Sequence, residues 1–409
     1  MGKEVGTGMI LVWFELKKIF AKQMNRTALF LLAGIVCMTG FLTIREVRYY
    51  EEGGTVVYGA AAARRLKAEK KEWEGSVTGE VLRRTIVEIR KINAASCHQD
   101  EAFVKKQGLS DLEDMINEGC SKQGQYDYYL AGHISPGLAA RLYETRILML
   151  KEMLGSSQNQ SLTDQKKAFL LRRYESLKTP LFYEYADGWK ALLDSQYLPT
   201  LMILTIVILG FFVSGIFPDE FHMKTDDVFF ASCLGRSRAV AAKAAAGFLT
   251  VTAVYWSVML AFTAIVLGAL GTGGAGCMVQ TGFGNWDSIY NITYAQDWLF
   301  SMCGGYAGHL FILTFAMLLS VKSRSAVIAV AVPFVMSCIP MFLARIPYFA
   351  PVMQLFPDML LRINKFLDHW YLIQIGGKVY GSFVVLLFVY LALFFVLVPM
   401  LYHSFRKIA

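Results

Sequence analysis

Apolar residues in this chain gather into long unbroken runs with charged stretches between them, rather than alternating at a strand or surface-helix period throughout. The runs fall at residues 27–44, 198–217, 244–270, 298–321, 326–344 and 381–402, and none contains an Asp or Glu. A helix of about 20 apolar residues crosses roughly 30 Å of hydrocarbon, so the pattern predicts six membrane spans. Residues 1–26 differ. From Met9 to Arg26 a helix would place Ile10, Trp13, Phe14, Leu16 and Phe20 on one broad face and Glu15, Lys18 and Lys22 opposite. Two readings fit that stretch: a helix lying on the inner membrane surface, or an extension of the first span.

Residues 45–197 are the one large polar region, with 23 Lys plus Arg against 22 Asp plus Glu. A balanced charge suits a folded domain better than a solvated tail. Its periodicity is helical: Val81, Leu82, Thr85, Ile86, Ile89 and Ile92 share a face, and residues 138–154 and 162–177 are each long enough to bury an apolar stripe. Ser110-Asp111-Leu112-Glu113 reads as a capping box, Ser135-Pro136 as a cap with proline at the first helical position, and residues 161–164 as a further cap. The expectation is an all-helical domain on the outer side, and an all-α fold for the whole chain.

Charge sets the expected topology. Residues 218–243 carry Lys224, Arg236, Arg238 and Lys243, whereas residues 271–297 hold no Lys or Arg. The positive-inside rule therefore puts the first of these in the cytoplasm with both termini, and the second outside. Trp286 and Trp298 suit an interfacial aromatic belt. Lys322-Ser323-Arg324 is a tight inner turn, and Pro333 and Pro340 predict a kinked fifth span. Residues 345–380 sit awkwardly outside because they hold Arg345, Arg362, Lys365 and Lys378; an amphipathic 358–367 stretch suggests a helix dipping into or lying on the outer leaflet. Residues 403–409 form an inner tail. The expected setting is the plasma membrane.

Composition narrows the function classes. With 55% hydrophobic residues and a mean hydropathy of +0.42 the chain is not a soluble protein, and its net charge of +8 flanks the spans rather than forming the basic, aromatic-laced stripe of a nucleic-acid binder. Spans without carboxylates disfavour an ion-coupled transporter. Gly376-Gly377-Lys378 lacks the upstream glycine and following hydroxyl of a phosphate loop, so ATP and its Mg would have to be held by another subunit. No hydrolase or zinc-protease signature occurs, so the chain is expected to be neither an enzyme nor a holder of its own cofactor or metal. His309, beside Gly304, Gly305 and Gly308, reads as a helix-packing hydrogen-bonder before it reads as a ligand. Cys97 and Cys120 share the outer domain; a bridge and two free thiols both fit. Asn291-Ile292-Thr293 matches a glycosylation acceptor.

The order of these parts resembles the permease subunits of ATP-binding-cassette exporters, the type-two class with six spans and a large outer domain after the first. Carrying the resemblance are the amphipathic residues 14–20 and the 217–243 link, where Asp219, Glu220, Thr225, Ser232, Gly235, Arg236 and Lys243 follow the family's acidic pair, Gly-Thr, small-residue patch, Gly-Arg and Lys. Lys224 replaces the usual glycine. Leu355-Phe356-Pro357 before the last span is also similar. The resemblance implies a half-transporter pairing with itself or a second permease and docking on two ATP-binding subunits. The link would couple to the ATPase through Asp219, Glu220, Asp226, Asp227, Val228, Phe229, Phe230, Gly235 and Arg236. The second and fifth spans would line a path for a peptide, lipid or drug-like substrate, with Thr205, Phe211, Phe212 and Ser214 facing Met336, Ser337 and Met341. The competing classes are a mechanotransmitting permease, which ordinarily has four spans, and a membrane sensor acting through its outer domain.

Overall fold

The computed structural model describes residues 2–121, 126–156, 162–224 and 238–407. Among them six helical segments are long and apolar enough to cross a membrane: Gln23–Glu46, Asp187–Ser214, Val240–Leu270, Tyr294–Ser323, Ala326–Leu343 and Ser382–Lys407. These are the six expected runs with shifted ends, and they make this a mostly helical chain of the multi-pass membrane type. The second span's main helix, Tyr197–Ser214, stops three residues early because Gly215 follows it and Pro218 opens the next short helix, Pro218–His222.

The fourth span is the centre of the bundle. In its most apolar window 78% of residues are buried inside the chain, against 11% for the sixth span. Small residues make this possible, since a helix without side chains on one face lets neighbours approach its backbone. A Cβ on Gly305 would meet the Tyr255 hydroxyl at 2.6 Å and the Met202 sulfur at 2.7 Å, and one on Gly308 would touch Leu360 at 3.4 Å. The second and fifth spans close up the same way at Gly210, where a Cβ would stand 3.2 Å from the carbonyl oxygen of Ala329. Outward faces stay apolar: Phe30 on the first span, Val327 on the fifth and Phe395 on the sixth are each at least 70% exposed.

Residues 345–380 do not form a surface helix. They break into a short helix Ala350–Met353, a 3₁₀ turn Pro357–Leu361, a second short helix Asn364–Asp368 and a hairpin of β5 (Leu372–Ile375) and β6 (Lys378–Gly381). Leu360, Leu361 and Phe366 are essentially fully buried, so the amphipathic stretch plugs into the bundle instead of lying on a leaflet. Of its two cations, Arg362 and Lys365, the first is accounted for by local pairing. Arg362 lies 3.8 Å from Asp358 and donates to the carbonyl of Ser337 at 3.3 Å on the fifth span.

Residues 48–186 form an insert domain that is mainly but not wholly helical. The pair β1 (Arg48–Tyr50) and β2 (Val56–Tyr58) is an antiparallel hairpin, and β3 (Gly75–Ser76) pairs with β4 (Phe182–Tyr183). The all-helical expectation is corrected at these points. Helices Gly79–Ala95 and Ser110–Cys120 pack Leu82, Ile86, Ile89, Leu112 and Ile116 into a common core. Trp286, expected at a membrane interface, is buried in that core from the loop after the third span. Gly119 supplies the room, since a Cβ there would reach the indole at 3.0 Å. Caps fall partly where expected: Ser135 accepts from the Leu138 amide and Thr163 from the Lys166 amide, but Ser110 donates to the Gln107 carbonyl and caps nothing.

Where insert and bundle join, two lysines and two aspartates cluster, Lys70 buried and Asp111, Asp187 and Lys190 partly buried. Lys70, 3% exposed, lies 2.9 Å from Asp187 and 3.0 Å from Asp111. Lys190 is 2.8 Å from Asp111 Oδ1, while Oδ2, the oxygen facing Lys70, also accepts from the Tyr183 hydroxyl at 2.7 Å. Burial alone would raise the Asp111 carboxyl, yet Lys190 and Lys70 outweigh it and hold it well below the usual carboxylate range. Asp187 and Lys190 belong to the helical segment that becomes the second span, so this cluster fastens the insert to that span. Lys70→Met leaves two partly buried carboxylates sharing one cation. It is expected to lower unfolding stability by about 3–5 kcal/mol, read from denaturant unfolding of the detergent-solubilised chain, whereas Arg83→Met, at an exposed pair, should leave it nearly unchanged.

Candidate functional site

The residues singled out in the sequence converge at the end of the bundle where the second span gives way to the link. Pro218 starts a single turn of helix there, which turns Asp219 and Glu220 back toward the N-terminal helix Gly2–Ala21. Lys22 pairs with Asp219, and Lys18 with Glu220 at 2.7 Å. From the first turn of the third span Lys243 inserts between them, 2.8 Å from Glu220 and 3.0 Å from Glu15. Its side chain has no exposed surface.

A buried ammonium is tolerated only with close counter-charges, and Lys243 has two among the described residues. Glu220 in turn receives both Lys18 and Lys243 on the same oxygen. Burial works against a charged Lys18, but the hydrogen bond and attraction from Glu220 prevail, and its pKa is raised. The six groups Glu15, Lys18, Lys22, Asp219, Glu220 and Lys243 thus form a lattice spanning the N-terminal helix, the start of the link and the third span. Phe20 adds an edge-to-face contact with Phe212 at 6.0 Å between ring centres, and Phe217 and Phe221 pack on Phe405 near the end of the sixth span.

This changes the reading of the N-terminal helix. Its charged side is turned inward into the lattice, along with Ile19, while Ile10, Trp13 and Phe14 are each more than half exposed. Asp219 and Glu220 are therefore internal struts of the link, rather than free groups on a docking face. The other residues assigned to coupling, Asp226, Asp227, Val228, Phe229, Phe230, Gly235 and Arg236, lie outside the described residues.

The residues assigned to a path are placed as follows. Thr205, Phe212, Ser214 and Ser337 are buried, Phe211 and Met336 half-buried, and Met341 exposed. Thr205 and Ser214 donate to carbonyls of their own helix, of Leu201 and Phe211. The second and fifth spans run in direct contact through Gly210, Ala329 and Pro333. His309 is fully buried, its Nδ1 2.7 Å from the Gly305 carbonyl, in the packing role expected of it. Cys97 and Cys120 are both free thiols; burial pushes Cys120 up to about 11, far from a reactive thiolate. Asn291 is engaged by its side-chain amide, which donates to the Arg173 carbonyl at 2.9 Å and to Ser176 at 3.0 Å. Among the described residues no group of His, Cys, Asp or Glu is arranged to hold a metal.

Lys243 was visible in the sequence as one basic residue among several; its burial and its partners were not. In the sequence Glu15 is only one member of a polar helix face. The signal that could have found the pair is the acid-base complement itself, with three cations and three carboxylates on segments that must all meet at one membrane boundary. Lys243→Met should cost about 3–5 kcal/mol because Glu220 and Glu15 are left facing each other at a buried site. Adding Glu220→Gln should recover part of that loss, a non-additivity that a double-mutant cycle on urea unfolding in detergent would measure. No family model, curated protein or solved structure matches the chain.

Proposed function

We propose that this chain is the membrane-spanning permease subunit of an ATP-binding-cassette exporter, with the 218–243 link and both termini in the cytoplasm and the insert domain outside. It would work as a homodimer or beside a second permease in the plasma membrane. ATP and Mg would be held by separate ATPase subunits docked on the link, and the cargo would be a peptide, lipid or drug-like molecule. The carrying observation is the ion-pair lattice at the base of the link. A partner that gripped the link would pull on a unit in which the N-terminal helix, the second span and the third span are joined by charge, so its motion would reach all three. The exposed Ile10, Trp13 and Phe14 suit a helix whose outer face rests in the membrane interface.

A second reading keeps the ATPase but moves no cargo, using the motion to work the insert domain. The cluster of Lys70, Asp111, Asp187 and Lys190 favours it, because it ties the insert directly to the second span.

Two measurements test the proposal. For sidedness, in a cysteine-free background, Lys91→Cys should react with a membrane-impermeant maleimide added to intact cells and Met223→Cys should not; both positions are well exposed. The reverse pattern would invert the topology. For coupling, Phe229→Ala with Phe230→Ala should leave the chain inserted but abolish co-purification with its ATPase, since buried aromatic anchors of this kind carry more than about 2 kcal/mol of interface energy. Undiminished assembly and ATP turnover in that double variant would place the ATPase contact elsewhere.

A further inference from the structure

Away from the lattice, the insert domain, the loop after the third span and the stretch before the sixth span meet around a cavity of about 670 Å³. That is the size of pocket that encloses a drug-sized molecule. Its walls are aromatic: Tyr126, Tyr128, Tyr174, Phe283, Trp286 and Trp370. They come from sequence-remote segments and are knit by ring contacts, Tyr126 with Tyr128 at 4.6 Å and with Phe283 at 5.3 Å, and Tyr174 with Trp370 at 6.1 Å. Two of the rings remain open to solvent, Tyr128 at 66% exposed and Phe283 at 57%.

The charged groups lining the cavity are Glu118, Glu152, Asp287 and Arg146. Arg146 is committed to the wall. It is 3% exposed, donates to the carbonyls of Trp286, Tyr174 and Ser288, and stacks 3.9 Å from the centre of the Tyr174 ring. Glu118 accepts from the Gly284 and Trp286 amides, which holds the loop on the rim, and burial still pushes its carboxyl up to about 7. A carboxyl in that condition gains from a cation placed beside it. With the one basic side chain among the described lining residues used as a strut, what these residues offer a visitor is π-faces and carboxylates. Both attract positive charge, since ring faces carry the negative side of the aromatic quadrupole.

We propose that this cavity binds an organic cation, a ring-bearing or quaternary ammonium compound, stacked among the aromatic side chains with Glu118 and Asp287 balancing its charge. The site does not depend on the permease reading. Because Trp370 leads into the sixth span and Phe283 and Trp286 sit in the loop between the third and fourth, an occupant would bridge the insert to both connectors.

The test uses the full chain in zwitterionic nanodiscs and ethidium as the probe, followed by fluorescence anisotropy, with anionic 8-anilinonaphthalene-1-sulfonate as the counter-probe. Ethidium should bind saturably, and its affinity should fall about tenfold or more in Asp287→Asn with Glu118→Gln and several-fold in Phe283→Ala. The anion should bind more weakly than ethidium and be insensitive to these changes. If Glu118→Gln loosens the loop, seen as a lower melting temperature, Asp287→Asn and Phe283→Ala alone decide the matter. Unchanged ethidium affinity in both, non-saturable binding, or tighter binding of the anion that Phe283→Ala weakens would overturn the proposal.

Discussion

A lysine without exposed surface constrains everything around it, and Lys243 is such a residue. Removing an ammonium from water costs several kcal/mol even after relaxation, so the fold that buries it must bring carboxylates to within hydrogen-bonding distance. Glu220 and Glu15 meet that demand, and each comes from a different segment. Glu220 can reach it only if the chain turns immediately after the second span, which Gly215 and Pro218 arrange. Glu15 can reach it only if the N-terminal helix lies with its polar side against the bundle. That orientation sends Ile10, Trp13 and Phe14 outward, the opposite of a soluble amphipathic helix and the right way round for one whose apolar surface meets lipid.

The same rule recurs wherever this chain buries a cation, with a different solution each time. Lys70 and Lys190 face Asp111 and Asp187, two against two. Arg362 has a single acid, Asp358, and a carbonyl. Arg146 has no carboxylate within ion-pair distance among the described residues and relies on three carbonyls and two aromatic faces, which a delocalised guanidinium accepts more readily than an ammonium would. In each case at least one partner lies far away in sequence, the Ser337 carbonyl for Arg362 and Asp111 for Lys70 and Lys190, so each of these cations also acts as a tertiary clamp.

That explains what the sequence could and could not show. The six spans were legible because hydrocarbon thickness imposes a length on apolar runs, and the core helices of the insert because Leu82, Ile86 and Ile89 keep helical spacing. The hairpins were missed although their marks were present: Gly376 and Gly377, considered only as part of a failed phosphate loop, both take positive φ and form the turn between β5 and β6. Gly53 and Gly54 do likewise between β1 and β2. Trp286 was misplaced because a tryptophan near a span is ordinarily an interface residue, and nothing local reveals that Gly119, over a hundred and sixty positions earlier, leaves room for its indole. The charge clamps were illegible for the same reason. Each lysine and each carboxylate was an ordinary surface residue until its distant partner was known.

The two lysine clusters sit at opposite ends of the stretch that holds the second span. Asp187 and Lys190 lie on a short helix, Asp187–Leu192, that leads into it, and Asp219 and Glu220 follow its close. Between them, after a break at residues 193–196, runs the main helix Tyr197–Ser214, 18 residues or about 27 Å. Along that helix the side chains are mostly apolar, and hydrocarbon or neighbouring helices accept them in more than one rotation or tilt at little cost. At the two ends they are not free to do so, because breaking either cluster strands a buried charge. Charge at its two ends therefore ties the second-span stretch to the N-terminal helix and the third span on one side, and to Lys70 and Asp111 of the insert on the other.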